Sequence, residues 1–278
     1  MNRAASPADK RPGLSPAVQE NSRYNIRVLD RAFRILSLLA DGQPRALAEI
    51  SESIELNSST TFRLLSTLTY HRYLKRSEMT GQYQLGLACL ELAQGYTSSD
   101  NLREVALPEL EALRDETKET VHLVVLDRMQ VVYIEKIPGL HAIGLMSSGV
   151  GRHAPAYCTG VGKALLAYQK EEQVRDYYQG KGLHRFTSTT ITDMNDLMEQ
   201  LEQVRSQGYA LDHGEHEDEV RCVATPIFDM DGKAVAAISI SGPALRMDPI
   251  EENRPMIDKA CATAMRISNK LGYTGNKY

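Results

Sequence analysis

From Val28 to Leu68 the apolar positions recur at helical spacing, broken twice by polar punctuation. Leu29, Phe33, Leu36 and Ala40 share one face of a first helix, with Val28, Ala32, Ile35 and Leu39 beside them, and Asp41-Gly42-Gln43-Pro44 ends it. Leu47, Ile50 and Ile54 give a short second helix. After Glu55-Leu56 a third begins at Asn57 or Ser58, either of which can cap it by accepting orphan backbone N–H groups. Tyr73–Arg76 and Gln82–Leu85 then flank Ser77-Glu78-Met79-Thr80-Gly81 as two brief strands. Three helices followed by a hairpin predict a winged helix-turn-helix over residues 24–85. Residues 1–23, rich in Ala, Pro and Ser, are read as a disordered tail.

Residues 86–100 predict a linker helix whose stripe of Leu87, Leu90 and Ala93 needs a partner, which dimerisation would supply. Leu102, Val105, Leu110 and Leu113 continue the helical spacing, with Pro108 expected to kink or restart the helix. The period then changes. Val121–Asp127 and Val131–Ile137 form one strand pair, Cys222–Phe228 and Ala234–Ser241 another. Helical stretches at Thr159–Tyr168, Glu171–Tyr178, Asp193–Gln207 and from about Pro249 to Leu271 complete an α+β domain with antiparallel sheet over residues 101–278.

Composition adds four points. A chain of 278 residues, 42% hydrophobic and 24% charged, supports two globular cores. No apolar run approaches the ~18 residues of a spanning helix, so a soluble protein of the cytoplasm, with no membrane partner, is expected. Cys89, Cys158, Cys222 and Cys261 lack any C-x-x-C spacing, which predicts neither disulfides nor a zinc knuckle. Charge is uneven: residues 1–85 carry 12 Lys+Arg against 8 Asp+Glu, the remainder 20 against 28. The basic end is the candidate for a polyanion.

That end contains LNSSTTFRLLSTLTYHRYLKR, without a carboxylate from Leu56 to Ser77. At about 100° per residue, Thr61, Phe62, Leu65 and Leu68 fall inward and Ser59, Thr60, Arg63, Ser66, Thr67 and Tyr70 outward. Short hydroxyls allow close approach to a duplex, helix-start amides suit phosphates, and Arg63 can pair bidentately with guanine. Asn57, Ser58, Ser59, Thr60, Arg63 and Thr67, with Lys75 and Arg76 of the hairpin, are the predicted contacts to double-stranded DNA.

VLDRAFRILSLLA, LAEISESIELNSSTTFRLLSTL and YLKRSEMTGQYQLG, followed by GRHAPAYCTGVGKALLA, QGYALDHGEHEDEVRCVATPIFD and AAISISGP, resemble the IclR family of bacterial transcription regulators from about Val28 onward. The resemblance implies a GAF-like effector domain, a homodimer or dimer of dimers, and promoter DNA binding that changes when a small organic acid enters the second domain. It further implies a repressor more often than an activator. Family positions that bind the acid match Gly160, Val161, Asp212, Cys222, Ser239 and Ser241, with Met146 and Val220 as apolar wall; the family more often has a smaller side chain at position 161. Independently, N–H groups at a glycine-flanked helix start favour a carboxylate, and Ser239 and Ser241 share a strand face. No metal or other cofactor is implied.

Other readings are open to the same residues. Gly160-Val161-Gly162-Lys163 is not a P-loop, because Tyr157 stands at the first glycine and Ala164 follows the lysine. A cysteine/histidine- or metal-dependent hydrolase centred on Asp212, His213, His216 and Cys222 is one alternative, although H-x-x-H in a glycine-containing turn lacks the helical geometry of a zinc hydrolase. A DNA-binding protein without a ligand is the other.

Overall fold

The computed structural model describes residues 26–98, 101–140 and 146–275; the expected tail at residues 1–23 lies outside them. The chain divides after residue 100 into two units.

In the first unit α1 (Arg27–Leu38) runs into a 3-10 turn (Leu39–Asp41) that Gly42 ends in the left-handed region. α2 (Leu47–Ser53) begins where the Ala46 N–H donates to the Glu49 carboxylate at 2.7 Å. α3 (Ser58–Tyr70) begins where Asn57 Oδ1 accepts from the Thr60 N–H at 2.8 Å, as its cap position requires. β1 (Leu74–Arg76) and β2 (Tyr83–Leu85) pair antiparallel, and Arg45 bonds both backbone groups of Tyr83 to extend the ladder. Ile35, Leu39, Ile50, Ile54, Leu65, Leu74 and Tyr83 form the core. α4 (Leu87–Ser98) follows, with Leu87, Leu90 and Leu92 exposed.

One inward assignment of the sequence reading fails here, and the apolar face read for the first helix is only partly buried. Leu29 and Phe33 are exposed, because Ile35 of α1 and Leu39 of the 3-10 turn after it are the residues that reach the core. Phe62 is also exposed, because Leu64 and Leu68 flank Thr61 and Leu65 and centre the buried stripe of α3 away from it.

In the second unit α5 (Asn101–Thr117) passes through Pro108 as one element rather than restarting; Leu102, Ala106, Leu110 and Leu113 on both sides of the proline are buried in one core cluster. β3 (Thr120–Asp127) and β4 (Gln130–Ile137) join through Arg128 and Met129, both at positive φ (48° and 59°), the two-residue hairpin geometry that matches strand twist. β5 (His153–Pro155), α6 (Gly160–Leu166), α7 (Glu171–Lys181), α8 (Met194–Gln207), β6 (Ala210–Asp212), β7 (Val220–Phe228), β8 (Ala234–Pro243), the short α9 (Ala244–Met247) and α10 (Arg254–Lys270) complete the unit. The terminal helix starts at Arg254 rather than near Pro249: a 3-10 turn over Ile250–Glu252 comes first, and Pro255, lacking an N–H, sits in the first turn where none is needed.

The sheet order is β5-β4-β3-β8-β7-β6, antiparallel throughout. Strand alternation divides its residues between two cores. Val121, Leu123, Val223, Ile238 and Ile240 pack with α5 and α10, whereas Val124, Ala224 and Ala237 pack with α6, α7 and α8. His122, Ser239, Ser241 and Cys222 therefore fall on the α6 side. Gly162 lets α6 approach the turn before it, since a Cβ there would lie 2.1 Å from the Ala156 carbonyl oxygen. Among the described residues no helix is long and apolar enough to cross a membrane.

Candidate functional site

In the first unit the exposed side of α3 presents Ser59, Arg63, Ser66, Thr67 and Tyr70, without an acidic residue. Asn57 uses its oxygen on the cap and keeps its amide N–H groups, and the Thr67 hydroxyl proton is engaged by the Arg63 carbonyl at 3.0 Å, leaving its lone pairs. Of the hairpin cations, Arg76 donates to the Gly81 carbonyl at 3.2 Å and lies over the Tyr83 ring, while Lys75 extends into solvent. Arg72 is ion-paired with Glu91.

In the second unit, Gly160, Val161, Asp212, Cys222, Ser239, Ser241, Met146 and Val220 line one cavity, which has an empty volume of about 420 Å³ including its open mouth. Strand register explains how positions distant in sequence converge. His122 stands opposite Ser239, Ser241 opposite Cys222, and Cys222 opposite Asp212, so a polar row crosses four strands. α6 closes over it; a Cβ on Gly160 would touch the Cβ atoms of Ala224, Cys222 and Asp212 at 3.3–3.5 Å. The loop after β6 supplies His216 and Glu217. Its start is held by Asp212 Oδ1, which accepts from the Gly214 and Glu215 N–H groups at 3.0 and 2.8 Å.

The sequence reading missed His122, Tyr133, Ser148, Thr159, His216 and Glu217 as lining residues. His122 is the most informative. It is buried, its Nδ1 lies 3.2 Å from Ser239 Oγ and 3.3 Å from Ser241 Oγ, and its Nε2 lies 2.9 Å from Ser148 Oγ. A lone histidine in the apolar run VHLVV was the available signal. Burial, with Lys136 nearby, depresses its pKa to about 3, so the imidazole is neutral and can accept as well as donate.

This shift has a stability consequence of definite sign. The unfolded imidazole takes a proton near 6.5 and the folded one near 3, so the contribution of His122 is full above the unfolded value and is lost as pH falls toward 3. Between about pH 7.5 and pH 5 the expected loss is roughly 2 kcal/mol. His122→Gln should flatten the pH dependence of urea unfolding by that amount. An unchanged slope would contradict the burial argument.

The hydrolase reading does not survive this geometry. His213 is not among the residues lining the cavity and lies 3.3 Å from Glu251. Burial and Asp212 push the Cys222 thiol well up, away from the thiolate a nucleophile requires. Among the described residues no group of three or more His, Cys, Asp or Glu side chains could hold a metal ion.

A winged helix-turn-helix on one unit and, in the antiparallel α+β unit, a cavity with polar groups from four strands define a ligand-responsive transcription regulator. Residues 28–78 match the IclR helix-turn-helix domain, and residues 94–269 match the domain described as bacterial transcriptional regulator IclR C-terminal. The chain is 36% identical over 248 residues to the HTH-type transcriptional regulator KdgR of Escherichia coli K12, covering 87% of this chain and 92% of that one. To the transcriptional repressor IclR of the same organism it is 33% identical over 261 residues, 92% of this chain and 95% of the other. Among solved structures it resembles the Thermotoga maritima IclR (TM-score 0.73, 32% identity, 90% and 100% coverage). It also resembles an IclR homologue from Microbacterium hydrocarbonoxydans complexed with 4-hydroxybenzoate (TM-score 0.79, 26% identity, 88% and 98%). The chain belongs to the IclR family: it is a DNA-binding transcription regulator whose larger unit is the family's effector-binding domain.

Proposed function

We propose that this regulator is a repressor in the cytoplasm, a homodimer or dimer of dimers, that releases or rearranges on its operator when a small organic acid occupies the cavity. Residues 24–85 act as the DNA-binding domain, residues 86–100 as the linker helix and residues 101–278 as the effector and oligomerisation domain. Asn57, Ser58, Ser59, Thr60, Arg63 and Thr67 meet the duplex, with Arg63 reading a guanine edge, and Lys75 and Arg76 meet phosphates. Gly160, Val161, Asp212, Cys222, Ser239 and Ser241 orient the acid against Met146 and Val220.

The carrying observation is the exposed, carboxylate-free side of α3, capped and aimed by Asn57. For the ligand, the support is the polar row across the sheet, in which Ser239 and Ser241 supply hydroxyl groups from one strand. α6 has only seven residues, so little macrodipole is available, and an acid would rely on first-turn N–H groups and these hydroxyls. A related protein's complex with 4-hydroxybenzoate, an organic acid, is in keeping with that class.

Regulation requires that the ligand bind two states of the assembly unequally. Screening organic acids by unfolding is expected to find one that adds about 2.7 kcal/mol at a hundredfold excess over its Kd. Ser239→Ala/Ser241→Ala should abolish that gain while leaving operator binding intact. A panel without any stabilising acid would favour the ligand-independent alternative.

A further inference from the structure

Two aromatic side chains, Phe62 and Tyr70, are exposed on the side of α3 that carries Ser59 and Ser66, and of the two Phe62 alone has no polar atom. It is 48% exposed and belongs to no core cluster, although Leu64, Leu65 and Leu68 of the same helix all pack into one. At about 100° per residue it lies between the buried Leu65 and the exposed Ser66, at one edge of the polar surface that has Ser59 and Arg63 nearer its middle. The exposed half of this aromatic side chain remains in water in the folded chain, apolar area that a partner could still remove. A partner that covers it must itself offer an apolar group beside the polar edges that Ser59, Ser66 and Arg63 meet. On the major-groove edges of a duplex, that group is the C5-methyl of thymine.

We infer that Phe62 is a specificity-determining residue that packs on a thymine methyl in each half-site. The inference rests on α3 lying in the major groove. It assigns Phe62 a preference that hydroxyls and Arg63 cannot supply, because a methyl group offers nothing to a hydrogen-bond donor. Thr60 and Thr67 carry methyl groups of their own, and the experiment must separate them from the ring.

The full-length chain selects its duplex from a random-sequence library, and each thymine is then replaced singly by deoxyuridine, which removes only the methyl. For the native chain, replacement at one thymine per half-site is expected to weaken binding about fourfold, the effect of returning one methyl group to water. For Phe62→Ala the two duplexes should bind equally, and urea unfolding should be unchanged because the ring packs in no core. A selected half-site without thymine, equal native affinity for every deoxyuridine duplex, or the same penalty persisting in Phe62→Ala overturns the inference. Arg63→Ala on the same duplexes tells its failure from failure of the underlying placement. If Arg63→Ala still weakens binding while deoxyuridine is silent, α3 reads DNA without Phe62; if both are silent, α3 is not the reading element and both ideas fall.

Discussion

Lys163→Ala is expected to destabilise the effector-binding unit by about 3–5 kcal/mol, the usual consequence of leaving one member of a buried ion pair alone. Lys163 is fully buried on α6 and pairs with the buried Glu215, whose Oε2 has no hydrogen-bond partner. Removing the ammonium leaves a carboxylate with neither solvent nor counter-charge. Burial pushes Glu215 up to about 7, against the pull of Lys163 and with Asp212 adding to the rise. Since that value is raised above the unfolded 4.5, the group's contribution is full below 4.5 and is lost as pH rises through about 7. The penalty in Lys163→Ala should accordingly shrink toward pH 5, where Glu215 holds a proton. Lys163→Met/Glu215→Leu, which removes both charges and keeps volume, should recover most of the native stability. Urea unfolding at two pH values tests all three statements; a single variant as stable as the native chain would contradict them.

The pair also ties α6, one wall of the cavity, to the loop that supplies His216 and Glu217. The same loop is held from outside the cavity: the Thr190 hydroxyl donates to the Glu215 carbonyl at 2.6 Å and the Thr189 hydroxyl to the Gly214 carbonyl at 3.0 Å. A ligand touching both α6 and the loop would act on elements already joined by a buried charge.

What the sequence made visible, and what it hid, follows from the range of the interactions. The start of α3 was readable because an Asn57 cap and a run of hydroxyls are local signals. The β3–β4 and β7–β8 hairpins were readable because each is a long apolar strand pair beside a short turn. β5 and β6 were not, since three residues at a sheet edge carry no alternation to detect. Pro108 does not restart the helix, because tertiary packing holds α5 together across a missing N–H. His122 joins the cavity through register with Ser239, a pairing 117 residues apart that no local pattern contains. Phe62 differs in kind: periodicity placed it inward only by treating an apolar residue as a core residue.

Arg63→Ala is expected to weaken operator binding by about 1–3 kcal/mol, roughly five- to 150-fold, and to relax base preference at one base pair of each half-site. Arg63 is exposed on the polar side of α3 and forms no ion pair among the described residues, so its loss should leave folding unchanged. Lys75→Ala is expected to act differently. As an exposed cation of the hairpin it would neutralise phosphate without reading a base. Its removal should weaken all sequences alike and lower the slope of log affinity against log salt by about 0.9.

If the exposed side of α3 faces a base edge, the ratio of operator to random-duplex affinity measures it most directly. Titrating the native chain, Arg63→Ala and Lys75→Ala against both duplexes at fixed salt should show the ratio falling for Arg63→Ala and holding for Lys75→Ala. An undiminished ratio in Arg63→Ala would place the reading surface elsewhere on the protein.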